Sequence, residues 1–221
     1  MTVTLDRPWI TFDLGQRMRV LSWAINRPGL VTARRILWRE VRNADLPRDL
    51  DVQDWLSGVL TERGAQDAVC FLTSRDVRAV TQTIATVDGV TAQAVATVGL
   101  SNAERVGTRF ARDPSAWGTI NVAVRVSEGL TDTALLEAVS IATQARTAAV
   151  METGLTLPTG IATGTGTDCI AVAAPDGVGQ YAGLHTAVGH ALGRAVYDAV
   201  LQGAQDWMVS PGATGPGLTV V

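Results

Sequence analysis

Residues 162–174 read Ala162-Thr163-Gly164-Thr165-Gly166-Thr167-Asp168-Cys169-Ile170-Ala171-Val172-Ala173-Ala174. A loop of alternating glycine and threonine runs through one carboxylate into six residues that carry no charge. Six uncharged apolar residues after such a loop are too short for a free-standing helix and fit a buried strand, predicted over Cys169–Ala174. Downstream, Val188, Leu192, Ala195 and Ala199 repeat at helical spacing, which predicts a helix from near His185 to about Leu201. Upstream, Thr131 and Asp132 open what reads as the longest helix, with Leu135, Val139, Ala142, Ala145 and Ala149 as its inner stripe. Before that helix lies another apolar run, Thr119 to Val126. The order strand, helix, strand, helix points to an α/β domain.

Earlier in the chain the pattern is richer in strands. Ile10-Thr11-Phe12-Asp13-Leu14 alternates, and Gly15-Gln16 reads as a turn into Met18-Arg19-Val20-Leu21. Asn26-Arg27-Pro28-Gly29 is a second turn signal, and Ile36 to Val41 is extended. Asp51 caps a helix whose stripe is Val52, Trp55, Leu56, Val59 and Leu60, ended by Gly64. Ala68 to Leu72 reads as a buried strand. Ser74 then reads as the cap of a second helix with Val77, Val80, Ile84 and Val87 on one face, before Asp88-Gly89 turns into a strand from Val90 to Val98. The expected fold is therefore α/β, a single domain with a mixed β-sheet flanked by helices and a β-rich N-terminal segment. It covers residues 1–209, with a loose Pro/Gly-rich tail over 210–221.

Composition narrows the function. The chain has 221 residues, 47% of them hydrophobic and 18% charged, which is the composition of a packed globular protein. All 18 basic residues are arginine, and the net charge is −3. No broad cationic field is present to hold nucleic acid or an acidic membrane. Two cysteines, Cys70 and Cys169, make no disulfide framework, and both sit in apolar runs as small buried hydrophobes do. With no basic segment followed by an apolar one at the start and no apolar stretch long enough for a bilayer, the expected location is the cytoplasm.

Four places could carry chemistry. In Ala162–Asp168, glycines free backbone N–H groups to face an anion or oxyanion, and threonine hydroxyls add donors. The run lacks the Gly-Lys-Ser/Thr ending of a nucleotide P-loop. The two histidines separate on a helical wheel: His185 falls within about 50° of the stripe's centre and His190 almost opposite it, at about 100° per residue. His185 is the better proton shuttle, although a core or capping histidine would look the same. Ser101 and Asn102 form a polar cluster at a strand's end, where α/β enzymes hold ligands, or an Asn-containing turn. Asn121 lies inside an apolar strand, where its amide either orients a substrate amide or satisfies a neighbouring backbone. No metal-ligand cluster and no Gly-x-Ser-x-Gly elbow is evident.

Taken in order, these pieces resemble the adenosylcobinamide amidohydrolases. The resemblance rests on Thr97-Val98-Gly99-Leu100-Ser101-Asn102-Ala103, Gly118-Thr119-Ile120-Asn121, Leu130-Thr131-Asp132 and Ala162–Asp168. It continues through Tyr181-Ala182-Gly183-Leu184-His185-Thr186, Gly189 and Gly193-Arg194-Ala195-Val196-Tyr197. It covers about Ser22 to Tyr197. The chain departs at Asn26-Arg27-Pro28-Gly29, where a glycine pair is expected after the asparagine, and at Trp38-Arg39-Glu40-Val41. The resemblance implies a hydrolase that cuts the aminopropanol amide of adenosylcobinamide to adenosylcobyric acid, in corrinoid salvage for cobalamin biosynthesis. The corrinoid is then substrate, with no cofactor evident and a homo-oligomer as the possible protein partner. His185, Asp168 and Thr167 are the expected catalytic residues, with His185 moving the proton and Asp168 orienting it or activating water. Thr165, Ser101, Asn102, Asn121 and Asn26 are the expected substrate contacts. The competing reading is a non-catalytic corrinoid or small-molecule binding protein whose polar loops only hold the ligand.

Overall fold

The computed structural model describes residues 2–47, 49–108 and 117–210. The N-terminal third is a meander. Strand β1 (Thr2–Asp6) pairs antiparallel with β2 (Trp9–Ser22), and β2 pairs antiparallel with β3 (Gly29–Glu40). The chain does not turn back at Gly15. It bulges there, with Gly15 at φ 83° and the register against β3 shifting between Asp13 and Met18. Both halves of β2 find the same partner strand, so the irregularity bends one strand instead of making two. Helix α1 (Val52–Glu62) starts at Asp51, whose carboxylate accepts from the Gln53 and Asp54 amides, and leads to β4 (Val69–Thr73), parallel to β3.

The next segment departs from the helical expectation. Asp76 caps only a short 3-10 turn, Val77–Ala79, and strand β5 (Thr81–Val87) follows. Val77, Val80, Ile84 and Val87 do fall three and four residues apart. The segment is nevertheless rich in β-branched residues, and a two-residue turn at Asp88 (φ 47°) and Gly89 (φ 83°) zips it onto β6 (Val90–Val98). The result has strand periodicity. The Thr81 and Thr83 hydroxyls bond inward to the Ala199 and Ala195 carbonyls, whereas Gln82, Ile84 and Thr86 are exposed.

The remaining elements are β7 (Ala103–Glu104), β8 (Ile120–Val126), α2 (Asp132–Glu152), three two-residue strands β9 (Thr156–Leu157), β10 (Gly160–Ile161) and β11 (Gly164–Thr165), β12 (Cys169–Ala174) and α3 (Ala187–Met208). Thr131 caps α2 as expected, and β12 has the expected ends. Helix α3 begins two residues after His185 and, at 22 residues, is one longer than α2. One sheet runs β4-β3-β2-β12-β8-β6-β5, with β1 beside β2. The β8–β12 pair is parallel, and α2 makes the crossover between them.

Two layers of core hold this together. Helices α2 and α3 bury Leu135, Ile141, Leu192 and Val196 against Val122, Val124, Ile170 and Val172. The N-terminal strands fold across the other face, so that Phe12, Trp38 and Phe71 share a core with Val95, Ala123, Ala171 and Ala173. Trp38 and Phe71 meet edge to face at 5.1 Å. Because the sheet curls over itself, β4 comes to lie opposite the start of β8. The expected single α/β domain with a mixed sheet and a β-rich beginning is the fold observed. The expected tail beyond Ser210 lies outside the described residues.

Candidate active site

The curl leaves a cleft of about 520 Å³ between β4 and the amino ends of β8 and β12. Its polar wall is made by Asn102, Thr119, Asn121, Thr167 and Asp168, and Trp23 and Trp117 flank it, 47% and 43% exposed. Glycine at 118 is required here. A Cβ there would stand 2.8 Å from the Gly99 carbonyl oxygen and the Ser101 amide, and 3.1 Å from the Asn102 amide. That close approach lets the Thr119 hydroxyl reach the Thr167 carbonyl at 2.9 Å, while the Thr167 hydroxyl donates to the Gly118 carbonyl at 3.1 Å. The Gly/Thr loop is thereby fastened to the start of β8.

Asp168 is the anchor of that loop. Its side chain is 7% exposed and pairs with Arg146, 13% exposed, at 2.5 Å. It also accepts from the Thr165 hydroxyl, the Thr165 amide (3.0 Å) and the Ile120 amide (3.1 Å). Burial pushes the Asp168 carboxyl above the usual carboxylate range, and Arg146 and the Thr165 and Ile120 donors pull against that shift. Gly164 leaves the room the pair needs, since a Cβ there would run into both the Arg146 guanidinium and the Asp168 carboxylate. Arg146 is the residue that sequence reading missed. It is the single basic residue of α2, and a buried carboxylate at the foot of that helix requires a cation.

The other expected residues divide. Asn102 and Thr167 line the cleft, and their side chains lie 3.5 Å apart. The Asn102 Oδ1 is buried and has no hydrogen-bond partner among the described residues. Asn121 also lines the cleft, but its amide N–H donates to the Leu72 carbonyl at 2.7 Å. Asn26 is outside it; its amide bridges the Ala68 carbonyl (2.9 Å) and the Cys70 amide (3.0 Å). Both asparagines bond the free edge of β4. Thr165 turns its hydroxyl onto Asp168, and Ser101 lines a polar recess beside the cleft with Arg42 and Arg75.

His185 is not brought to this place. It is exposed, in the turn before α3, at the end of the sheet where β8 and β12 finish. Its loop is tied to the first turns of α2, where Glu137 accepts from the Ala182 amide. Glu137 and Arg146 are nine residues apart, about 13 Å along α2 at ~1.5 Å per residue. The expected His185–Asp168 pair is therefore not formed within the chain. The wheel gave the side of the helix correctly for His190, which is exposed, but it could not give the end of the sheet. Cys70 is buried and Cys169 half-buried, and burial pushes both thiols up to about 12. Among the described residues no group of three His, Cys, Asp or Glu side chains is placed to hold a metal ion, and no helix is long and apolar enough to cross a membrane.

The family profile of the adenosylcobinamide amidohydrolases (CbiZ) matches residues 2–211. The chain belongs to this family. The matched span takes in every element of the fold and every residue of the cleft described above. No curated protein matches the chain. Among solved structures, the PH0078 protein from Pyrococcus horikoshii OT3 is similar with a TM-score of 0.44 and 10% identity, over 88% of this chain and 76% of that one. So distant a likeness carries no functional argument. Membership makes the chain one of a family of amidohydrolases that act on a corrinoid small molecule.

Proposed function

We propose that this amidohydrolase cleaves the aminopropanol amide of adenosylcobinamide, releasing adenosylcobyric acid and aminopropanol in the cytoplasm. The observation that carries the reading is the convergence of Asn102, Thr167 and Asp168 in the wall of one cleft. An amide substrate presents a carbonyl acceptor and an N–H donor, which side-chain amides and hydroxyls match. A cleft of about 520 Å³ suits one amide arm of a corrinoid. The flat macrocycle then stays outside, against the exposed faces of Trp23 and Trp117.

In hydrolysis, water adds to the amide carbon, the carbon–nitrogen bond breaks, and the leaving amine takes a proton. Asp168 is the carboxylate that the described cleft offers for that proton traffic. A pKa raised by burial moves it toward the range where acid–base catalysis is efficient. At rest, four donors fill its lone pairs. The Thr165 hydroxyl is the one donor among them that rotates freely, and its turning away admits water. Thr167 and Asn102 hold the amide, with Asn121 and Asn26 fixing the opposite wall through β4.

The test is incubation with adenosylcobinamide and measurement of free aminopropanol. Release at a rate proportional to enzyme is expected. Stoichiometric binding without release would replace hydrolysis with the carrier reading.

A further inference from the structure

The two end strands of the order β4-β3-β2-β12-β8-β6-β5 are finished differently. At β4 the outward backbone groups are taken up by side chains: Asn26 binds the Ala68 carbonyl and the Cys70 amide, and Asn121 binds the Leu72 carbonyl. At β5, the opposite end, nothing of the kind occurs among the described residues. The two-residue turn at Asp88-Gly89 makes Val87–Val90 the hydrogen-bonded closing pair of the hairpin. Thr81, Thr83, Ala85 and Val87 therefore direct their backbone groups to β6, and Gln82, Ile84 and Thr86 direct theirs outward. Among the described residues no backbone group pairs with those three.

The edge also lacks the usual protections. Thr81-Gln82-Thr83-Ile84-Ala85-Thr86-Val87 has no charge, no proline and no bulge, and Ile84 at its centre is 67% exposed. Such an edge is a template for another strand.

We propose that a second copy of this chain is that strand, with β5 pairing antiparallel to β5 about a two-fold axis through Ile84. The choice of occupant follows from symmetry. The outward groups sit at 82, 84 and 86, evenly about Ile84, so a two-fold there places Ile84 against Ile84 and Gln82 against Thr86. Each of these facing pairs exchanges its two N–H···O bonds, with no donor or acceptor left over. The two Ile84 side chains become direct cross-strand neighbours and cover one another. The same surface serves both copies, as a closed two-fold dimer requires.

The experiment is size exclusion with light scattering on the full chain, with hydrogen exchange alongside; neither reads activity. The wild type is expected at twice the 23.2 kDa chain mass. Ile84→Lys, which sets two ammonium groups together on the axis, is expected at half the wild-type mass with unchanged circular dichroism. Leu136→Lys, on the exposed face of α2, is expected to keep the wild-type mass. In the wild type the Gln82, Ile84 and Thr86 amides should exchange slowly, and in Ile84→Lys rapidly. A monomeric wild type, a dimer that survives Ile84→Lys, or a dimer split by Leu136→Lys instead would each overturn the proposal.

Discussion

Replacing Arg146 by methionine keeps the length of the side chain and removes the cation from Asp168. The carboxylate is 7% exposed, so water does not replace what is lost. Removing one partner of a buried ion pair costs about 3–5 kcal/mol, because the other charge stays buried and uncompensated. The Thr165 hydroxyl and the Thr165 and Ile120 amides remain as donors, which places the expected loss nearer the lower end, about 3 kcal/mol at neutral pH. The loss depends on pH in a definite direction. Burial raises the Asp168 carboxyl in the folded protein, so the folded state holds the proton more tightly than the unfolded chain does. The stability this gives is complete below the unfolded carboxylate range and is lost as the pH climbs through the raised folded value. Without Arg146 that folded value rises further, so the window extends upward. Acidification should therefore restore part of the variant's stability. Urea unfolding of wild type and Arg146→Met at pH 5 and pH 8 measures this. A loss below about 1 kcal/mol, or one identical at the two pH values, would refute the picture of a buried pair held in low dielectric.

Other consequences are simpler. His185→Ala should leave kcat within a few-fold of wild type, since His185 lies at the far end of the sheet from the cleft; a loss comparable to that of a cleft variant would bring the histidine back into the chemistry. Cys70 and Cys169, both pushed up to about 12, should resist iodoacetamide at pH 8 in the native protein and react fully in urea; rapid native labelling that inactivates the enzyme would contradict their structural role. Trp23→Ala should raise KM more than it lowers kcat if the indole supports the macrocycle outside the reacting amide, and an unchanged KM would remove it from the binding surface.

Much of this molecule is written locally. The cap residues Asp51 and Thr131 start the helices they were expected to start, and the uncharged run Cys169–Ala174 has the ends its composition suggests. What was hidden depends on contacts distant in sequence. Residues 77–87 satisfy a helical stripe and a strand pattern equally, and β6, which decides between them, lies beyond a turn. Asn26 and Asn121 read in the sequence as ligand contacts, and the bonds of their amides to β4 follow only from its place at a sheet edge whose backbone needs partners. His185 failed to meet Asp168 because a helical wheel fixes an angle but not a position along the axis. That position is set by the crossover connections. The Gly/Thr loop, Asn102 and Asp168 were legible as a candidate site because glycine beside hydroxyls and a carboxylate has few structural uses, and Asn102, Thr167 and Asp168 do line one cleft. Their cation, Arg146, was not, although a buried carboxylate beside a helix with one basic residue leaves little choice.

The central claim is that amide hydrolysis takes place in the cleft walled by Asp168. It is tested most directly by kcat for aminopropanol release from adenosylcobinamide by folded Asp168→Asn, beside a corrinoid binding titration on the same sample. Asparagine is nearly isosteric and retains an acceptor for Arg146. The account predicts that kcat falls by about two orders of magnitude or more, in line with acid–base contributions, while corrinoid affinity changes little. Near-normal turnover in the folded variant would contradict it and leave Asp168 as the anchor of the Gly/Thr loop alone.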